Sequence, residues 1–300
     1  MDAVTEIERV SGEQPLLVTG ATGYVGTKLI AELVRRGLPV RAMARRPERV
    51  SVAGVPAVPG DVTSGEGLRE ALAGCVTAFY LIHSMGSDAE DFAERDRRAA
   101  HTFGAAAQDA GVGRVIYLGG LGDAGDSEHL ASRAEVAEIL AAYVPELVHV
   151  RAAMIVGPGS GSFEILRHLV ERLPVMLSPR WLETRTQPVA IGDVVRALAE
   201  LATRDDVPAE VQLGGADVLT YRDMLIRYAA VTGRRRPRIL PVPFLTPRLS
   251  SHWIVLVTPV NGGLVRPLVE GLRTETVVTA PPPPGINDSP LGFDDAVRAG

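Results

Sequence analysis

The stretch that constrains this chain most is Leu16 to Gly37, LLVTGATGYVGTKLIAELVRRG, because three local signals follow one another without a gap. Leu16 to Thr19 is a short apolar run of strand length. GATGYVG follows, with Gly20, Gly23 and Gly26, and then Val25, Leu29, Ile30, Leu33 and Val34 recur at helical spacing as one apolar stripe. Arg35 and Arg36 suit the negative end of that helix's dipole, and Gly37 suits the left-handed residue that stops it. Strand, glycine turn and helix in this order predict a dinucleotide-binding unit. Gly20 turns the chain sharply off the strand, Gly23 leaves the backbone bare where a pyrophosphate approaches, and Gly26 lets the helix pack tightly on the sheet. Free amides from Thr22 through Gly23 and Tyr24 to Val25 then face the phosphates, with the positive end of the dipole behind them.

Three hundred residues with 46% hydrophobic content suffice for one large α/β core with a lobe attached. A net charge of −5 and a pI near 5.7 argue against nucleic acid as a partner. The single cysteine, Cys75, excludes an internal disulfide and fits a reducing cytoplasm; within LAGCVTAFYLIH it reads as a small buried hydrophobe. No apolar run reaches the roughly 18 positions of a membrane span. MDAVTEIERVSGEQP lacks the layout of a signal peptide, and residues 1–14 read as a disordered tail. A soluble, cytoplasmic protein is expected.

After Gly37, LPVRAMARR reads as a second strand reached by a crossover of helical length. An NAD-selective chain usually places an acidic residue at its end, about 20 residues past the glycines, for the ribose 2′-hydroxyl. Here that place holds Arg45 and Arg46, with no acidic residue between Glu32 and Glu48. Two guanidiniums suit a 2′-phosphate, so NADP(H) is the expected cofactor; solvated surface charge is the alternative. VTAFYLIHS is a fourth, near-continuous apolar strand. Its end puts His83, Ser84 and Met85 in the crevice where such sheets bind ligands, so His83 is a candidate contact, though a structural histidine is the commoner case.

The Gly-x-x-Gly-x-x-Gly spacing and the octapeptide TGATGYVG resemble the short-chain dehydrogenase/reductase superfamily in its extended and atypical branches, from Leu16 to about Thr279. The resemblance implies a Rossmann-type doubly wound parallel sheet carrying NAD(P), with a small C-terminal substrate-binding region. It places Asp61 and Val62 against the adenine, the bland alternative being that Asp61 starts the next helix, from about Gly65 to Ala73. It puts Asp96, on a helix from about Asp88 to Ala110, where many members carry the asparagine of a catalytic tetrad. It places the stretch Ala152 to Ile155, with Met154, beside the nicotinamide, and Gly119 is a further candidate cofactor contact.

Most members carry a serine after the fifth strand, Arg114 to Leu118 here, and then Tyr-x-x-x-Lys on the following helix. This chain has Gly119-Gly120 at the serine position, and its nearest match to the second element is His129-Leu130-Ala131-Ser132-Arg133. Positions 129 and 133 share a helix face. His129 would serve as general acid in the tyrosine's place, its pKa lowered by the neighbouring cation. Arg133 would orient cofactor or substrate and stabilise developing negative charge. The alternative is a relic helix capped by His129, with Ser132 and Arg133 facing solvent.

In the C-terminal part, Gly159-Ser160-Gly161-Ser162 has the look of a second phosphate loop but reads rather as a flexible turn with Ser162 as helix N-cap, Asp193 starts a later helix, and Thr220 caps another. Trp253 to Val260 lies in an apolar, proline-containing portion that closes a substrate site or meets a second copy, so a homodimer is possible. The NmrA-like and epimerase/dehydrogenase groups are the nearest resemblance. The expected organisation is a Rossmann core over 15–157, a substrate region over 158–280 partly returning to the core, and a proline-rich tail over 281–300. The function expected is NADP(H)-dependent hydride transfer to or from a small apolar metabolite. A non-catalytic NADP-binding sensor, or an epimerase or dehydratase with retained cofactor, are the alternatives.

Overall fold

Strand β1 (Leu16–Val18) is buried at every position, and β2 (Val40–Ala44) and β4 (Thr77–Tyr80) are too, as strands covered on both faces require. With β3 (Ala57–Pro59), β5 (Arg114–Gly120), β6 (Glu146–Ala152) and β11 (Glu210–Leu213), they form one sheet in the order β11-β6-β5-β4-β1-β2-β3, parallel throughout. This is the doubly wound Rossmann arrangement, with order reversing beside β1. The computed structural model describes residues 14–83, 89–123, 125, 127–178, 180–241 and 272–300. The N-terminal stretch before Gln14, Ser84, Met85, the helix start near Asp88 and the Trp253–Val260 segment lie outside the described residues.

Helices cover both faces. On one, α1 (Tyr24–Arg35) and α6 (Ile191–Thr203) bury Leu29, Ile30, Leu33, Val194 and Leu198 against β1, β5 and β6. On the other, α2 (Leu68–Leu72), α3 (Ala89–Asp109) and α4 (Glu128–Ala141) bury Leu72, Phe103, Ala107, Val136 and Leu140 against Tyr80 and Tyr117. The buried stripe of α1 is Gly26, Leu29, Ile30 and Leu33, a narrower set than expected. Val34 falls outside it at 43% exposure, because positions i, i+3, i+4 and i+7 already fill the face.

A lobe beyond β6 has its own core. There α5 (Gly161–Arg172), α7 (Tyr221–Val231) and α8 (Phe293–Arg298) enclose Phe163, Leu166, Met224, Tyr228 and Phe293. Three short pairings brace it: β7 (Ile155–Val156) with β10 (Val189–Ala190), β8 (Val175–Ser178) with β13 (Arg238–Pro241), and β9 (Arg185–Thr186) with β12 (Leu219–Thr220). Thr220 caps α7 through a capping box with Asp223.

The proline-rich tail expected over 281–300 is a packed strap. Ile286 enters the sheet core and Asn287 Nδ2 donates to the Gly214 carbonyl at 2.9 Å. The Leu291 amide donates to Asp193 Oδ2 at 2.9 Å, the Phe293 amide to Asp217 Oδ2 at 2.8 Å, and Phe293 has no exposed surface. Composition suggested a tail because prolines stiffen an exit; the same stiffness fixes an extended path across the fold. Phe293→Ala is expected to cost about 3–5 kcal/mol, the range for deleting a buried aromatic ring. A urea midpoint unchanged from the parent would show the strap to be dispensable. No helix among the described residues is long and apolar enough to cross a membrane.

Candidate functional site

The carboxyl ends of β1, β2, β4, β5 and β6 open into a cleft of about 880 Å³, at the upper end of the range for small-molecule sites. At its centre stands the glycine turn. Gly20 has φ +61°, and a Cβ there would stand 3.0 Å from the Leu81 carbonyl oxygen. A Cβ at Gly26 would stand 2.2 Å from the Gly20 carbonyl oxygen. The third glycine therefore closes the turn upon the first, a tighter demand than helix–sheet packing. Gly23 is the N-cap of α1, and its amide, expected free, donates to the Gly20 carbonyl at 2.8 Å. The amides of Thr22, Tyr24 and Val25 have no backbone acceptor among the described residues, and all three residues line the cleft with the positive end of α1 behind them.

Tyr24 extends from this turn to the lobe. A Cβ at Gly159 would meet its ring at 3.2 Å, and one at Gly157 would meet its hydroxyl oxygen at 2.6 Å. That hydroxyl is buried without a hydrogen-bond partner, and burial and then the Glu164 carboxylate push its pKa up to about 12.

At the far end of β2, Arg45 is exposed and lines the cleft. Arg46, expected beside it, does not: it is the N-cap of the 3-10 turn Pro47–Arg49. Asp61 and Val62 both line the cleft, Val62 at 4% exposure. Asp61 Oδ1 accepts from the Thr63 amide at 2.7 Å and so shapes a local turn, while α2 begins only at Leu68, after Gly67.

The strand end where the resembled superfamily carries a serine is filled from elsewhere. A Cβ at Gly119 would stand 2.5 Å from His149 Nε2, and the His149 ring is stacked on Tyr117 with centroids 5.2 Å apart. A Cβ at Gly120 would meet Leu130 at 3.1 Å and the Arg133 guanidinium at 3.3 Å. An imidazole and a guanidinium thus occupy the room two side chains would have taken.

Helix α4 is capped by Ser127, whose hydroxyl accepts from the Leu130 amide at 3.2 Å, so His129 is not the cap. Ser132 is 4% exposed and Arg133 Nε is buried, which removes the reading of both as solvent-facing. His129, Arg133 and His83 come together on the cleft wall, with Gly119 and Met154 also lining it. Burial, and next the Arg133 charge, lower the His129 pKa to about 3. The imidazole is therefore neutral at pH 7 and holds no acidic proton to give, unlike the general acid expected. His83 is driven well below its ordinary value by burial, Arg133 and His129, in that order. Asp96 is 5% exposed and does not line the cleft; its charge acts from behind the wall on Arg133, Tyr117 and Tyr80. A tetrad member in contact with substrate is not its place here.

On the lobe side, the N-cap of α5 is Ser160 and not Ser162, and its hydroxyl donates to the Ile155 carbonyl at 2.7 Å. Thr63, Arg95, Tyr221 and Thr276 line the cleft and escaped the sequence reading. Thr63 follows a nominated pair, and Arg95 precedes Asp96 by one residue, so both had a local signal. Tyr221 and Thr276 arrive from distant chain and had none. Among the described residues no group of three or more side chains suits a metal ion.

Comparison with known proteins agrees with this geometry. A family model described as NAD(P)H-binding matches residues 20–155. A 4-hydroxy-2-methyl-3-oxo-4-farnesyl-3,4-dihydroquinoline-1-oxide ketoreductase of Stigmatella aurantiaca is 36% identical over 107 residues, 34% of this chain and 32% of the relative. A (4-alkanoyl-5-oxo-2,5-dihydrofuran-3-yl)methyl phosphate reductase of Streptomyces griseus is 40% identical over 105 residues, 34% and 33% of the two chains. The chain thus matches about a third of the length of these curated relatives. The structure of the Citrobacter sp. triphenylmethane reductase complexed with NADP(H) superposes with TM-score 0.75 at 18% identity, over 95% of this chain and 99% of that one. At that identity the likeness is one of fold.

Proposed function

Residues 20–155 being an NAD(P)H-binding-family domain, we propose that the chain is an NADP(H)-dependent oxidoreductase of the atypical short-chain type, acting on a carbonyl or related group of a small apolar compound. The observation that carries this reading is Arg45, which lines the cleft at the end of β2, with no acidic residue between Glu32 and Glu48 to bind a 2′-hydroxyl instead. The cleft fits a dinucleotide: Gly20 and Gly26 hold the turn closed, and the amides of Thr22, Tyr24 and Val25 are open to an anion. The names of the two curated relatives above, a ketoreductase and a reductase, support the reaction class.

Bound NADP(H) would supply or accept the hydride. The chain's own part is electrostatic. Arg45 would grip a 2′-phosphate, and Asp61 and Val62 would meet the adenine. Arg133 and the N–H of neutral His129 would bond the oxygen that gains negative charge, as a fixed donor pair in a partly dry site. The proton then comes from solvent. Turnover is accordingly expected to stay flat between about pH 5 and 8, since His129 changes charge only near 3. A pH profile falling with a midpoint near 6.5 would restore the imidazolium as acid and remove this account.

The test is nicotinamide absorbance with a panel of ketones and enones, after fluorescence titration with NADPH and NADH. Binding without turnover would favour the second reading, a sensor of NmrA-like kind, for which the replaced serine, tyrosine and lysine speak. Cofactor that co-purifies would favour an epimerase or dehydratase. A protein that ignores both dinucleotides at millimolar concentration is neither.

A further inference from the structure

The cleft wall at the end of β5 holds a cation whose inner nitrogen has no acceptor. Arg133 is partly buried, its Nε is buried without a hydrogen-bond partner, and among the described residues it forms no ion pair. Arg167 also has a buried Nε without a partner, but its Nη2 pairs with Glu164 at 2.7 Å, and two further inward arginines are fully provided for. Arg41 donates through Nη1 to the carbonyls of Ala71 at 3.0 Å and Ala73 at 2.6 Å, and Arg114 pairs with Glu146 at 2.5 Å and donates to the carbonyls of Leu201 and Arg204. On the same helix as Arg133, Glu135 is taken by Arg97. Folded chains rarely leave a buried donor without an acceptor, and an exception marks a strain reservoir or a ligand position.

A second unsatisfied group points the same way. His83 Nδ1, at the end of β4, is buried without a partner on the same cleft wall. His83 and His129 are both held neutral here, so the Arg133 guanidinium is flanked by two uncharged imidazoles, with Arg95 a further cation on the cleft lining. The titratable groups that act on or feel Arg133 from other elements are Tyr117 on β5, His149 on β6, His83 at the end of β4 and Asp96 on α3, and the Asp96 carboxylate favours its cationic form against burial. Asp96 does not line the cleft, and among the described residues no carboxylate pairs with the guanidinium on its cleft side. Around it the lining is apolar, with Leu118, Leu121, Leu130 and Met154.

We propose that the substrate of this cleft is an organic anion, with a carboxylate or enolate oxygen bonded by Arg133 beside His83 and an apolar body against the leucines. The proposal rests on the NADP(H) oxidoreductase reading and names its substrate class. A neutral acceptor would bring oxygen charge to the buried guanidinium only as the hydride arrives, whereas a carboxylate or enolate meets it already on binding. The competing use of Arg133 is the nicotinamide ribose, whose hydroxyls are uncharged.

Two probes that differ only in charge decide between these uses. The full chain is saturated with NADP+ and titrated by calorimetry with 2-naphthoate and with 2-naphthamide. Naphthoate is expected to bind at least about tenfold tighter, the scale of one charge-assisted bond. The preference should shrink as salt is raised. It should vanish in Arg133→Met, largely survive in Arg133→Lys, and leave NADP+ affinity within about threefold in both. Equal binding of the two probes to the parent protein, or binding of neither, overturns the proposal without recourse to any variant. So does an Arg133→Met protein that loses NADP+ affinity about tenfold yet keeps its naphthoate preference. If the NADP+ titration itself is flat, the oxidoreductase reading fails, and the same probes on the cofactor-free chain still decide the charge preference.

Discussion

Arg45→Ala should weaken NADPH binding by about 10- to 100-fold and leave NADH within about threefold. A charge-assisted hydrogen bond contributes roughly 1.5–3 kcal/mol, and each 1.4 kcal/mol is tenfold in affinity. Because Arg45 is exposed, salt screens part of that contribution, and the lower end of the range is expected at physiological ionic strength. The paired arginines are not equivalent. Arg46 caps the 3-10 turn and lies off the cleft, so Arg46→Ala should change NADPH affinity less than about threefold, and the double variant should match Arg45→Ala alone. Fluorescence titration of the four proteins with both dinucleotides measures all of this. Equal weakening of NADPH and NADH would place Arg45 at a phosphate common to both. A loss carried by Arg46 would mean that the turn rearranges on binding.

The division between Arg45 and Arg46 shows where sequence reasoning ends. GATGYVG specifies a turn because its glycines act on their own neighbours, within six residues, and the strand and helix around it are set by equally local periodicity. The parallel sheet then follows from repeated strand–helix alternation. Side-chain direction one residue past a strand is set by the next turn, which the pattern RRPERV does not reveal. The same holds for charge state. The i,i+4 spacing of His129 and Arg133 announces a shared face, but the burial that drives His129 to about 3 comes from the whole of α4 lying on the sheet. Nor could composition distinguish a trailing proline segment from the strap that carries Phe293 into the lobe core. What was local was legible, and what depended on packing between distant segments was not.

The pair Gly119 and His149 is the sharpest case of the second kind, and it yields a prediction against intuition. Placing serine where the superfamily most often has it should harm this chain. In the β5–β6 register Tyr117 lies opposite His149, and the imidazole leans over the next position on the same face of β5. A serine Cβ 2.5 Å from His149 Nε2 requires the ring to move, and the ring is held by its stack on Tyr117. Overpacking of this sort costs about 1–3 kcal/mol. Gly119→Ser should therefore lower the urea midpoint and reduce turnover, through displacement of the strand end that lines the cleft. His149→Ala alone also destabilises, since it forfeits the stack and leaves a gap beneath Gly119. Combined, the two changes relieve each other, because the hydroxymethyl group fills part of the space the imidazole vacates. The double variant should be more stable than the two single losses together imply, with a coupling of about 1–2 kcal/mol in a double-mutant cycle. Additive losses, within about 0.3–0.5 kcal/mol, would show that the two residues do not meet. A stable and more active Gly119→Ser protein would show that the strand end has room, and that its glycine answers to something other than the histidine behind it.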